Sequence, residues 1–251
     1  MARIEAIAKM LFYPTNHDAI NMWLEHHVKR FDYDVRSILD PCCGEGSAVN
    51  LFRKVAPNAD FFGIELEKER FAEAEKLLDK VVNAGLENVI IEDGADFVFN
   101  NPPYDLVMGK RVEVNFISMV AQAMKSYQYQ LLVLKEDLIT GKYKNDLAMC
   151  LYKSGLEIAS TSDYKNGGAL RFPGETFNEH QQYFLLVKKS THGVRYSNDI
   201  PVLGEVGKVD VRFEVRSFGS AKTKLLVSPP RPSSNVASLL DTQKEYIFPA
   251  V

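Results

Sequence analysis

The sequence has too few cysteines for a covalent scaffold. Cys42, Cys43 and Cys150 make an odd count with two adjacent, a pattern that neither a disulfide framework nor a zinc site uses, so a reducing, cytoplasmic setting is expected. Also missing is any run near the roughly 18 apolar residues that cross a bilayer, so no membrane partner is expected. The opening MARIEAIAKMLFYP is interrupted by Arg3, Glu5 and Lys9, so no secretory signal is expected there. Net charge is small: Lys+Arg 30 against Asp+Glu 33 gives −3, too little basic excess to coat a polyanion. The five histidines show no metal-ligand spacing, so no metal site is expected. What remains is an ordinary globular composition, 46% hydrophobic and 25% charged over 251 residues, enough for one large domain and a small addition.

Periodicity organises the chain. Asn16 is placed to cap a helix running to about residue 30, with Ile20, Trp23, Leu24, His27 and Val28 on one face. SILD (37–40) reads as a buried strand, GEG (44–46) as the turn after it, and FFGIEL (61–66) as a second strand. A helix is predicted over 68–84 with Phe71, Ala74, Leu78, Val81 and Val82 inward, closed by Gly85. NVIIED (88–93) reads as the third strand and DFVFNN (96–101) as the fourth. A helix over 112–125, the strand YQLLVLK (129–135), a helix over 144–153, and strands LEIAST (156–161) and QYFLLVKK (182–189) follow. Strands alternating with helices imply an open, doubly wound, mostly parallel α/β sheet of seven strands, with too few units for a closed barrel. After residue 189 the pattern turns to β alone. KVDVRFEVRSF (208–218) alternates Val209, Val211, Phe213 and Val215 against charged residues, and TKLLVS (223–228) is a candidate antiparallel partner for it. The expected division is a domain over 1–189 and a small β appendage with a tail over 190–251.

In such sheets ligands bind at the carboxyl ends of the strands where strand order reverses, against the first strand–turn–helix. Here that turn is DPCCGEG. Gly44 and Gly46 let a ligand approach the backbone, while Asp40 would repel a pyrophosphate and suits a cationic or zwitterionic ligand. Glu65 ends the second strand, where a carboxylate can accept both hydroxyls of a ribose. A flavin- or nicotinamide-binding sheet, or a turn with no ligand, is the competing reading. NPPY (101–104) ends the fourth strand. Its prolines remove two backbone donors, so nearby carbonyls can face a substrate. The Asn101 side-chain oxygen and the Pro102 carbonyl can accept the two hydrogens of an amino group, and Tyr104 can stack on a planar substrate.

DPCCGEG and FFGIE together resemble the first two motifs of class I S-adenosylmethionine-dependent methyltransferases, a Rossmann-like family. NPPY resembles the catalytic motif of those that methylate amino groups of adenine or guanine in nucleic acid, or of glutamine in protein. FYPT (12–15) resembles the N-terminal motif of the gamma order of adenine methyltransferases. GETFNEHQQYFLLVKK (174–189) is similar to that order's motif before the last strand, whose aromatic packs on the flipped base. The sequence also looks like methyltransferase-like proteins of plasmids and integrating elements, which share YPT, DPCCGEG and NPPYD. The resemblance covers roughly residues 10–189. It implies S-adenosyl-L-methionine as cofactor, bound by Tyr13, Thr15, Asp40, Cys42, Gly44, Glu65, Leu66, Asp93 and Asn101. It also implies catalysis by Asn101, Pro102 and Tyr104, and a base held by Phe177 and Pro103.

Two departures stand out. Between Asp93 and NPPY there is almost no room for the family's third crossover helix, and the 62 residues after 189 are fewer than its usual target-reading domain. The reading is therefore an enzyme that methylates an exocyclic amino nitrogen, adenine in DNA ahead of RNA or protein glutamine, with a non-catalytic nucleic-acid or partner-binding module as the alternative from another class. Charge is split accordingly. Residues 1–99 carry 11 Lys/Arg against 18 Asp/Glu, net −7, whereas 100–251 carry 19 against 15, net +4, on the side where a polyanion would lie.

Overall fold

A computed structural model describes residues 14–32, 34–107, 109–160, 167–173, 181–197, 199–217 and 223–228. Helix α1 (His17–His27) begins where Asn16 predicts: its Oδ1 accepts from the N–H groups of Asp18 at 2.9 Å and Ala19 at 3.1 Å. Ile20, Trp23, Leu24 and His27 are buried. Val28, expected on the same face, is 46% exposed, because the chain tightens there into a 3-10 turn (Val28–Arg30) that leaves the helical stripe.

Strand β1 (Ser37–Asp40) is followed by the short helix α2 (Ser47–Asn50), strand β2 (Asp60–Glu65), helix α3 (Lys68–Ala74) and strand β3 (Lys80–Asn83). Next come β4 (Val89–Glu92), β5 (Phe97–Asn100), the two-residue strands β6 (Leu106–Val107) and β7 (Lys110–Arg111), helix α4 (Val112–Ala123) and β8 (Tyr129–Lys135). Helices α5 (Glu136–Ile139) and α6 (Lys144–Lys153) precede β9 (Leu156–Ile158), β10 (Ala169–Arg171), β11 (Gln182–Lys189), β12 (Val202–Glu205) and β13 (Lys224–Val227).

The main sheet is nine-stranded, in the order β12-β10-β11-β8-β5-β1-β2-β3, with β9 also on β11. Pairing is parallel from β8 to β3 and antiparallel at β11. The expected seven strands become nine because β12 adds an edge, and because β9 and β10 are separate strands along the same flank of β11. The winding reverses at β1, which lies between β2 and β5, so the carboxyl ends of β1 and β5 flank the crevice.

Two expectations are corrected together. The helix predicted over 68–84 ends at Ala74, and Lys80–Asn83 is a strand: β-branched Val81 and Val82 complete a parallel ladder on β2, with Val81 opposite Gly63 and Val82 opposite Ile64. NVIIED is therefore not the third strand of the sheet. Its β4 stands outside the main sheet and pairs antiparallel with β13, Ile91 facing Leu225 and Ile90 facing Leu226.

That pairing also corrects the partner expected for TKLLVS, which is β4 and not the 208–218 stretch. In the latter, Val211, Phe213 and Val215 are buried and Arg212, Glu214 and Arg216 exposed, as the alternation predicts. Among the described residues the stretch forms isolated bridges and no ladder, Val215 bridging Phe31, while its buried side chains join the cluster that contains the α1 residues Ile20, Trp23 and Leu24. Phe213 lies 5.4 Å from Trp23, a near-parallel stack. Phe31, Phe52, Phe97 and Phe184 surround the same indole at 6.2–6.3 Å. Described residues beyond 189 thus contribute an edge strand, a buried ring and a ribbon to the body that carries the sheet. No helix among the described residues is long and apolar enough to cross a membrane.

Candidate active site

A cavity of about 460 Å³ opens at the carboxyl ends of β1, β2 and β5, lined among others by Thr15, Asp40, Cys42, Glu65, Glu87 and Asn101. Its volume lies in the range of small-molecule sites. The turn after β1 is wound tightly enough to expose backbone there because Gly46 sits at φ +79°, a conformation that costs a side-chain-bearing residue. The Asp40 carboxylate accepts from the Cys42 N–H at 3.0 Å. Burial and the nearby Glu65 carboxylate outweigh that bond and raise Asp40 to about 7. A cation placed beside Asp40 would pull it back to the ionised form, which fits a positively charged ligand.

Glu65 is buried and committed. Its Oε2 accepts from the Gly44 N–H at 2.9 Å, and its Oε1 accepts from the Glu67 N–H and the Arg70 guanidinium, both at 2.8 Å. The carboxylate expected to take ribose hydroxyls therefore also ties the β1 turn to β2, and Arg70 lines the cavity with it.

NPPY lies at the same crevice, and its asparagine is held at both ends. Asn101 Nδ2 donates to Thr15 Oγ1 at 2.7 Å, and Oδ1 accepts from the Tyr104 hydroxyl at 2.8 Å. The Cys42 thiol donates to the Asn101 carbonyl at 3.1 Å, which couples the β1 turn to NPPY. Burial and the Asp40 charge push that thiol well above its ordinary range, so it stays protonated and packs without acting as a nucleophile. The Pro102 carbonyl accepts no hydrogen bond among the described residues, as the loss of ladder partners around two prolines predicts. Tyr104 is placed differently from expectation: it does not line the cavity and is 4% exposed, under the Lys135 ammonium at 4.8 Å from its ring.

The model of an uncharacterised methyltransferase family (DUF6094) matches residues 1–115, which hold FYPT, DPCCGEG, FFGIE and NPPY. A search of curated proteins finds no match. Among solved structures, a Listeria monocytogenes protein described as a class I S-adenosylmethionine-dependent methyltransferase superposes with a TM-score of 0.58 at 16% identity, over 78% of this chain and 68% of that one. The methyltransferase subunit of a type I restriction-modification system from Streptococcus thermophilus reaches 0.55 at 16% identity, over 94% of this chain. This chain spans about half, 53%, of that subunit's length. A methyltransferase from Pyrococcus furiosus reaches 0.51 at 18% identity, over 75% of this chain and 97% of that one. The fold is that of class I methyltransferases.

Of the expected site residues, Thr15, Asp40, Cys42, Glu65, Leu66, Asn101, Pro102 and Pro103 line one cavity, and Gly44 sits behind it on Glu65. Tyr13 and Phe177 lie outside the described residues. Asp93 is not at the cavity. It follows β4, with φ +65° and a 42% exposed side chain in an ion pair with Lys125 at 2.6 Å, which lowers its carboxyl. The shift of the third strand to Lys80–Asn83 explains the miss: residues 84–87 now follow that strand, and Ala84, Gly85, Leu86 and Glu87 line the cavity in its place. Glu87 keeps solvent contact as a residue, yet desolvation at the cavity wall raises its carboxyl. The Val-Val pair ahead of Gly85 was the signal for it. His17 and Ser47 also line the cavity, within 3.3 Å of each other.

His26, His27 and Asp210 come close enough to suggest a metal cluster. The atoms of His27 and Asp210 are committed elsewhere. His27 Nδ1 bonds the Trp23 carbonyl at 2.9 Å, its Nε2 accepts from the Val211 N–H at 3.2 Å, and Asp210 takes a two-pronged bond from Arg30. Burial lowers the His27 imidazole to about 4, so it is neutral over the ordinary range.

Proposed function

We propose that this chain is an S-adenosyl-L-methionine-dependent methyltransferase acting on an exocyclic amino nitrogen, with adenine in DNA as the leading acceptor. The observation that carries the reading is the meeting of NPPY with the acidic β1 turn in one cavity, Asn101 in direct contact with Thr15 and Cys42. The likeness to the restriction-modification subunit of Streptococcus thermophilus favours DNA among the acceptors.

The cofactor would supply a methyl group activated on a sulfonium. Asp40, raised by burial and by Glu65, would ionise beside that positive charge, with Thr15, Cys42, Gly44, Glu65 and Leu66 forming the rest of its seat. Glu87, not Asp93, is the carboxylate we assign to the cofactor's base. At the acceptor, the Asn101 side-chain oxygen and the Pro102 carbonyl are the two oxygens we assign to the amino hydrogens. Together they would take the two amino hydrogens, turn the nitrogen lone pair out of conjugation and aim it at the methyl group, so rate comes from positioning and no strong base is needed. Pro103, and Phe177 from outside the described residues, would flank the base.

Labelled S-adenosyl-L-methionine incubated with separate pools of DNA, RNA and protein tests this. Label is expected in DNA and falls about 100-fold or more in Asn101→Ala. Label confined to RNA or to protein glutamine would change the acceptor and keep the chemistry. Isothermal titration showing no binding of S-adenosylhomocysteine would remove the enzyme reading in favour of a non-catalytic nucleic-acid or partner-binding module.

A further inference from the structure

Behind NPPY, three hydrogen bonds run in series from the last antiparallel strand to the N-terminal wall of the cavity. Gln182, the first residue of β11, is buried, and its Nε2 donates to the Tyr104 hydroxyl oxygen at 3.0 Å. The Tyr104 hydroxyl donates to Asn101 Oδ1 at 2.8 Å, with the Val133 carbonyl a longer alternative acceptor at 3.3 Å. Asn101 Nδ2 then donates to Thr15 Oγ1 at 2.7 Å, and Thr15 lines the cavity.

The series has one direction. A phenol has a single proton, and the Gln182 amide occupies the oxygen as a donor, which steers that proton to Asn101. With Oδ1 facing Tyr104, the Asn101 amide presents its NH₂ to Thr15, whose side chain lines the cavity. We propose that Gln182 is a positioning residue that sets the orientation of the Asn101 carboxamide through Tyr104, and so aligns the acceptor nitrogen with a ligand held at Thr15. Tyr104 on this account orients the asparagine instead of stacking on the acceptor. The kinetic part rests on the methyltransferase reading; the orientation of Asn101 does not.

Two replacements separate orientation from bulk. Gln182→Met keeps the volume and removes the amide donor, so the phenolic proton is divided between Asn101 Oδ1 and the Val133 carbonyl. In Gln182→Glu the carboxylate accepts the phenolic proton, so Asn101 loses its donor until the new carboxyl is protonated. The charged and titratable groups around the Tyr104 hydroxyl that Gln182 bonds are Arg111 from β7, Glu113 from α4 and Cys42 from the β1 turn, with Lys135 from β8 over the Tyr104 ring and opposite Gln182 in the ladder. Lys135 and Arg111 favour the ionised carboxyl, and Glu113 and burial oppose it.

The test uses the full chain with ¹⁵N-labelled asparagine, the Asn101 side-chain amide being assigned by its disappearance in Asn101→Asp. In Gln182→Glu that resonance is expected to titrate with pH and return toward its wild-type position at acid pH, whereas in Gln182→Met it is shifted from its wild-type position and flat with pH; an unshifted resonance in Gln182→Met also overturns the proposal. At saturating cofactor, kcat in Gln182→Glu should drop about tenfold at alkaline pH and recover as pH falls, with KM for cofactor changed less than twofold. An Asn101 resonance that is pH-independent and unshifted in Gln182→Glu overturns the proposal. A wild-type protein that labels no acceptor would overturn the methyltransferase reading while the resonance still decides the role of Gln182.

Discussion

The turn after β1 and the segment after β3 both wall the same cavity, yet they are held from different distances along the chain. The turn is tied by the Asp40–Cys42 bond two residues apart and by the Gly44–Glu65 bond 21 residues apart. The segment over 84–96 has no crossover helix of its own. It is held by β13: Leu225 packs into the cluster containing Leu86, Ala95 and Ile117, and the Thr223 hydroxyl donates to the Gly94 carbonyl, 129 residues away, at 2.7 Å. A ribbon whose second strand comes from the far end of the chain stands where the family resemblance leads one to expect a helix. One wall is local chemistry, and the other depends on tertiary closure.

Leu225→Ala breaks the second wall most severely. Leu225 is 4% exposed, and its truncation is expected to cost about 2–5 kcal/mol in urea denaturation. Because residues 84–87 lean on that ribbon, affinity for S-adenosylhomocysteine should fall as well; unchanged affinity would show that the β4–β13 ribbon does not support the cavity.

Asp40 probes the first wall by pH. Its folded value of about 7 lies above the unfolded 3.8, so the folded chain holds a proton that the unfolded chain has released. Stability from this group is therefore greatest below about pH 4 and declines as pH rises to about 7. Cation affinity runs the opposite way. Binding of S-adenosyl-L-methionine should strengthen by up to about tenfold per pH unit below 7 and level off above it. Calorimetry across pH 5.5–8.5 on wild type and Asp40→Asn checks this, since the variant should lose the slope in both stability and binding.

Thr223→Val is the mildest probe. It removes one buried hydrogen bond to Gly94 while keeping the volume, and about 1 kcal/mol of stability should go, visible as a lowered denaturation midpoint with the cavity intact.

Much of the first wall was legible because its causes are local. Asn16 caps a helix through its own side chain, the glycines of DPCCGEG permit a positive φ, and two prolines strip donors wherever NPPY is placed. β8 is buried at every position: its apolar LLVL centre predicts this, and Gln130 and Lys135 are buried with it. The misplaced residue, Asp93, followed from choosing between two short β-branched segments. VVN and VIIE are equally good strands by composition, and the open edge of β2 accepted the first.

The amino-acid sequence by itself determined the chemistry of the site and the strand ends that carry it, since turn geometry, proline and burial act within a few residues. Tertiary structure alone decided which strand completes the sheet, what replaces the missing helix, and that Tyr104 turns inward onto Asn101. Those outcomes depend on which edges and cavities remain open once the chain has folded back, and a short strand gains its stability from its partner more than from its own residues.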